Sequence, residues 1–342
     1  MTLKKFYYLL SILLMGSTLL FVSCNNDDEE EELLGDWEKM FAFEGGARSE
    51  AVGFVIGDDA YVATGYKDDL KERTNDLWVY NSKYWEQKAS MPEGAGTRSA
   101  AVAFSAGGKG YLGTGISSTS DNLNDFWCYN PSTGGWNAIQ DFPGVARRSA
   151  VAFSIADKGY VGTGYDGNTD KSDFYEYSPS SDSWVKVGSI GDPISNSVVF
   201  VINTKAYLVT GTENKEYLRT MYVFDSATKD WSKLRDIIDS NSDETYDDDY
   251  TSLVRTGAVA FTIKGKGYIA TGSSTSANNA VWEYDPATDL WKEKTGFERT
   301  SRSEAVGFAL GNYGYVVTGR SSNTPLYDLV RFDPEAEQID LN

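Results

Sequence analysis

One five-residue pattern, Tyr-x-x-Thr-Gly, occurs six times, at Tyr61–Gly65, Tyr111–Gly115, Tyr160–Gly164, Tyr207–Gly211, Tyr268–Gly272 and Tyr315–Gly319. The glycines step by 50, 49, 47, 61 and 47 residues. A Phe stands seven positions before each Tyr, at Phe54, Phe104, Phe153, Phe200, Phe261 and Phe308. About twenty positions after each Gly comes Trp85, Trp136, Trp184, Trp231 or Trp291, with Ile339 in the sixth copy. A register kept over six copies means that one supersecondary unit is repeated, and such units bury their apolar faces only against one another.

Each copy reads as four short strands. The first is small and apolar, as in Ala100-Ala101-Val102-Ala103-Phe104. A turn such as Gly108-Lys109-Gly110 makes a hairpin into the second, Tyr111 to Gly115. The closing glycine allows backbone or a ring to approach closely. The third alternates aromatic residues, as in Asp125-Phe126-Trp127-Cys128-Tyr129. A turn such as Asp285-Pro286-Ala287-Thr288 leads to a fourth, headed by Trp291. Four antiparallel strands per 47–50 residues describe one blade of a propeller. The expected fold is all-β: a six-bladed β-propeller of four-stranded antiparallel blades. The blades span about 47–92, 97–142, 146–190, 194–238, 254–297 and 301–342.

Only five Trp-led fourth strands follow a third strand. Trp37-Glu38-Lys39-Met40 supplies the sixth, because Trp37 precedes Arg48 by 11 residues just as Trp291 precedes Arg302. Residues 35–44 are therefore expected to complete the last blade and remove an open edge. The glycine-ended second strand, the Tyr-Asp-Pro type of turn and the following Trp resemble the Kelch repeat. The resemblance covers residues 35–342. It departs from the family in one respect, since Thr-Gly stands where Kelch repeats usually carry Gly-Gly. Kelch propellers serve many functions, so the resemblance implies the fold far more than an activity.

The chain has no histidine among its 342 residues. That excludes Ser-His-Asp and Cys-His nucleophiles and His-ligated metals. It leaves proton transfer to Glu, Asp, Tyr or Lys. It also rejects copper oxidation of the galactose oxidase kind, which is built on Kelch-like blades but uses histidine ligands. A net charge of −19 disfavours nucleic acid and anionic lipid as partners. No cofactor is expected, and the chain reads as a monomer.

Residues 1–23 carry Lys4 and Lys5 and then a mostly apolar run from Phe6 to Val22, shorter than a bilayer span. Ser23 and Cys24 follow, then an acidic tether over 24–34 that includes Asp27, Asp28 and Glu29 to Glu32. This resembles the signal peptide of a bacterial lipoprotein, including the acidic segment found in Bacteroidetes-type surface lipoproteins. The resemblance implies acylation of Cys24, attachment to membrane through that group only, and exposure at the cell surface on the outer membrane.

Six residues before each repeat Phe lie Arg48, Arg98, Arg147, Ile194, Arg255 and Arg302; two residues further on lie Glu50, Ala100, Ser149, Asn196, Gly257 and Glu304. Strand alternation puts both sets on the channel side. The expected ligand-binding set is Arg48, Arg98, Arg147, Arg255, Arg302, Glu50, Glu304 and Asn196. Recurrence in five blades also fits a framework role for the arginines. Glu50 and Glu304 break the recurrence and become neighbours on closure, so one carboxyl pKa is expected to rise unless arginines neutralise the pair. Asp76, Asp125, Asp173 and Asp328 recur before the third strand and read as turn caps. The insertion 235–253 holds seven acids between Asp236 and Asp249. It reads as a solvated loop, a lid, or a calcium loop through Asp239, Asn241 and Asp243. Glu244 and Tyr250 rule out an EF-hand there, and Asp166, Asn168 and Asp170 form an equally partial motif.

Three functions are compatible with these residues. The first is a lipid-anchored surface module presenting its loop face to a glycan or protein ligand. The second is a sugar mutarotase or epimerase resembling N-acetylneuraminate epimerase. It would use Glu50 and Glu304 as the acid–base pair, with the arginines holding a carboxylate. The third is a scaffold subunit of an outer-membrane assembly.

Overall fold

In each repeat the Phe and Tyr seven apart face one another across a tight hairpin. Phe104 pairs with Tyr111 and Phe54 with Tyr61, and their rings stack at centroid separations of 5.0 Å. The same stack recurs in all six hairpins. The computed structural model describes residues 33–238, 250, 252–275 and 278–338. Within them the hairpins build six four-stranded antiparallel sheets. Blade 2, for example, runs Val102–Ala106, Lys109–Gly113, Phe126–Asn130 and Gly135–Ile139 from its inner to its outer strand.

The last sheet is composite. Its strands Val306–Leu310, Tyr313–Val317 and Leu329–Asp333 are completed on the outer side by Asp36–Lys39. Trp37 sits opposite Phe332, as Trp136 sits opposite Tyr129. It is 1% exposed and packs on Phe332 and Phe297 at 4.6 and 4.8 Å. The N-terminal strand thus closes the six-bladed propeller, as expected from the missing sixth fourth strand.

Blades interlock through rings and small residues. The residue before the repeat Tyr is Gly or Ala because the preceding blade's Phe lies against it. A Cβ on Gly110 would come within 2.2 Å of the Phe54 ring. A second lock is made of backbone. The N–H of the glycine ending each Thr-Gly donates to the carbonyl of residue 98, 147, 194, 255, 302 or 48 in the next blade, at 2.7–3.0 Å. All six links are formed, including Gly319 to Arg48, which joins the sixth blade to the first.

The Thr of each Thr-Gly adopts the left-handed conformation, with φ between 57° and 64°. This explains the Gly-Gly usual in Kelch repeats, since both positions need positive φ. Here Thr occupies the first at some conformational cost.

Candidate functional site

Between the framework Arg and the inner strand, each blade has one residue with positive φ: Glu50 (54°), Ala100 (49°), Ser149 (52°), Asn196 (55°), Gly257 (62°) and Glu304 (57°). This left-handed step breaks the strand alternation on which the sequence expectation rested. It sends the Arg side chain into the blade and leaves the i+2 residue facing the channel.

The expected arginine ring is therefore not at the mouth. Arg48, Arg98, Arg147, Arg255 and Arg302 are 0–1% exposed. Each donates through Nη1 to the carbonyl of the Thr in its own Thr-Gly, at 2.8–3.1 Å. Four make paired hydrogen bonds to the recurring aspartates: Arg48–Asp76, Arg98–Asp125, Arg147–Asp173 and Arg302–Asp328, all within 3.0 Å. The guanidiniums of Arg48, Arg147 and Arg302 also lie about 5 Å over Phe43, Phe142 and Phe297. These arginines are framework and cannot grip a ligand in the channel. The four aspartates are their counter-ions, not merely turn caps.

The left-handed residues form the rim instead, linked head to tail by backbone. Glu50 N–H donates to the Glu304 carbonyl, Ala100 to Glu50, Ser149 to Ala100, Asn196 to Ser149 and Glu304 to Gly257, at 2.8–3.1 Å. Among the described residues the sixth link, between blades 4 and 5, is replaced by the Thr256 hydroxyl donating to Asn196 O at 3.4 Å. Glu50 and Glu304 thus stand side by side, as expected, with Asn196 across the rim. Below them the channel is lined by small apolar residues such as Ala51, Ala101 and Gly53.

The guanidiniums that do reach the rim are different ones. Arg320 donates through Nη2 to Glu304 Oε1 and pairs through Nε with Oε2, both at 2.8 Å. Arg73 reaches Glu50 through a relay: its Nε donates to Ser99 Oγ at 3.0 Å, and Ser99 donates to Glu50 Oε2 at 2.6 Å. Arg148 lies over the Tyr165 ring at 5.0 Å and donates to Asn122 Oδ1 at 3.1 Å. Burial and the neighbouring Glu50 charge raise the Glu304 pKa, with Arg320 opposing them. A signal for Arg148 existed in the sequence. The residue after the framework position is Ser or Thr in the other five repeats and Arg only at 148.

A polar cavity of about 540 Å³ opens from this rim toward blades 3 and 4. Its walls include Glu50, Arg148, Asp170, Asn196 and Lys215. The proposed calcium residues Asp239, Asn241 and Asp243 lie outside the described residues. In the second partial motif, a Lys171 ion pair and the backbone N–H groups of Thr169 and Asn168 already occupy the Asp166 carboxylate. They hold its pKa well below the usual range. Among the described residues no three His, Cys, Asp or Glu side chains are grouped to hold a metal.

Repeating four-stranded blades, a buried Arg in five of six and glycine-mediated blade joints define a class, the Kelch-type propeller. The sequence matches the family model of the KLHDC2/KLHL20/DRC7 Kelch-repeats domain over residues 52–246, more than half of the chain. The chain belongs to the Kelch-repeat family. The solved structure of YjhT superposes with a TM-score of 0.70 at 15% identity, covering 84% of this chain and 95% of that one. At that identity the likeness establishes the fold alone. No curated protein matches the sequence.

Proposed function

We propose that the protein is a surface binding module, held to the outer membrane through an acylated Cys24, whose loop face takes a glycan. The observation that carries the reading is the composition of the 540 Å³ cavity. Hydroxyls, amides and two charges of each sign line it, and Tyr165 is its one aromatic. Such walls offer donors and acceptors in both directions, as a polyol requires. Its size falls within the range of small-ligand sites. The anchor reading rests on the sequence around Cys24 alone. Two measurements test it. Titration calorimetry against glycans that the wild type retains on an array should show at least tenfold weaker binding for Arg148→Ala. Cys24→Ser should move the protein from the detergent phase to the aqueous phase. Unchanged affinity, or unchanged partitioning, removes the corresponding half of the proposal.

A second reading is favoured by one observation. Glu304, with its raised pKa, stands beside Glu50, so one acid and one base could share a site. A sugar mutarotase or epimerase would use that pair to open or epimerise a ring. Anomer exchange of acidic sugars accelerated by the wild type and lost in Glu304→Gln would establish it. No acceleration by the wild type removes it.

A further inference from the structure

Three chambers lie along the rim, and the first two share walls. The first is the 540 Å³ cavity, which reaches from Glu50 to the loop holding Asp170 and to the hairpin tip at Asn214 and Lys215. The second is the central well of about 170 Å³, flanked by both Glu50 and Glu304. It has Glu50, Ser149 and Asn196 in common with the first. The third, about 350 Å³, lies between the loops of blades 5 and 6 and is walled by Ser273, Ser274, Ser321, Ser322 and Asn323. Arg320 bounds it while holding Glu304 on its other side. Polar chambers therefore lie on both sides of the carboxylate pair, one at blades 3 and 4 and one at blades 5 and 6 beyond the Glu304–Arg320 ion pair.

The two outer chambers are each larger than the well between them. A single small ring seated at the glutamates would leave both unused. A protein partner is a poorer fit, because protein interfaces centre on apolar or aromatic anchors in dry pockets. Here the aromatic wall is Tyr165, with Arg148 lying over its ring. The first chamber balances Glu50 and Asp170 against Arg148 and Lys215, and the third is mainly hydroxyl and amide. This lining suits a chain rich in hydroxyl groups along its whole length.

We propose that the ligand is an oligosaccharide that crosses the mouth, with one unit at the Glu50–Glu304 pair and further units in both flanking chambers. The inference rests on the glycan-binding reading above. The test is an array of neutral and uronate-containing glycans from one to six units. It is probed with the full-length wild type and with Thr169→Trp and Asn323→Trp, two exposed positions chosen to obstruct the first and third chambers. Unchanged melting temperatures confirm that both variants fold. Wild-type retention should rise at least tenfold from disaccharides to tetrasaccharides. Asn323→Trp should abolish that advantage of length, and Thr169→Trp should lower retention at every length. Retention independent of length, or an Asn323→Trp variant that keeps the length advantage, overturns the spanning ligand and leaves the binding reading standing. Retention of no glycan at all overturns both.

Discussion

Blades 3 and 4 are neighbours with the same strand order, yet they solve one internal problem differently. Blade 3 buries Arg147 against Asp173 and uses its Nη1 to satisfy the Thr163 carbonyl. Blade 4 has Ile194 and Thr220 at the two equivalent positions, and the Ser197 hydroxyl takes over the bond to the Thr210 carbonyl at 2.9 Å. Blade 5 stands between them. Arg255 remains, Ala280 replaces the aspartate, and the guanidinium is held by the carbonyls of Thr271, Ala280 and Ser252. What the fold requires is a donor for the Thr carbonyl, not a charge. A buried ion pair can be exchanged for apolar and hydroxyl groups when both partners change together.

The sharpest way to break this comparison is to change one partner only. Asp173→Thr in blade 3 should destabilise the protein by about 3–5 kcal/mol, because it strands a buried guanidinium. A urea midpoint close to the wild type would show that the carbonyls alone suffice, as they do around Arg255.

A second handle, on the matching Arg48–Asp76 pair of blade 1, is pH. Burial raises the Asp76 pKa, but hydrogen bonds and charge from Arg48, with help from Trp78 and Thr74, outweigh it and leave the carboxyl below its ordinary value. A depressed folded pKa gives stability that is present above the unfolded pKa of about 3.9 and is lost as pH falls through the folded one. Asp76→Asn should therefore flatten part of the acid limb of the stability curve. An acid limb of unchanged slope would place the acid sensitivity elsewhere.

Copying blade 4 into blade 3, with Arg147→Ile, Ala150→Ser and Asp173→Thr together, should cost only about 1–2 kcal/mol, much less than the single change, because Ser at 150 takes the place of Ser197 as donor. If chemical denaturation shows the triple variant to be as weak as Asp173→Thr, the blades are not equivalent hosts. The reverse graft, Ala280→Asp in blade 5, should stabilise by about 1 kcal/mol, read as a higher melting temperature. A lower one would mean that blade 5 has closed over the missing carboxylate.

The smallest effect is expected at the rim. The raised Glu304 pKa means that its contribution to stability is intact in acid and is lost as pH rises through the folded value. Glu304→Gln should be slightly more stable than the wild type near neutrality, with the gap vanishing in acid. A gap of the opposite sign would make the Arg320 pairing dominant over burial and Glu50.

The fold was largely legible because each of its devices repeats. The Phe and Tyr spacing fixes a hairpin, the Trp heads the outer strand, and the surplus Trp37 announces the closure. The site was legible only in part. Glu50 and Glu304 stood out because they interrupt a six-fold pattern. Strand alternation puts the arginines on the wrong side because it holds only for extended backbone, and a left-handed residue at i+2 has no mark in the sequence when it can be Glu, Ala, Ser, Asn or Gly. Arg320 directly follows the sixth Thr-Gly, in the column that holds Tyr66, Ile116, Tyr165, Thr212 and Ser273 in the other repeats, so it is in register but lies in a column with no uniform background to depart from; Arg73 comes from the longer loop of blade 1. Arg148 could have been found by the rule that singled out the glutamates, since it too departs from an otherwise uniform column.

The composite blade has a kinetic consequence. Glu38 and Arg331, which pair across its outermost strands, are 293 positions apart. A chain made from its N-terminus must hold the strand Asp36–Lys39 unpaired until the strand Leu329–Asp333 has been synthesised. Five blades can form from contacts within about 50 residues, but the circle can be sealed only at the end, after the largest loop-closure entropy in the molecule has been met. Blade 6 should therefore be the last to acquire protection from hydrogen exchange during refolding. It should also be the first to open when the ring is stressed, making the seam beside the glutamate pair the most mobile wall of the mouth.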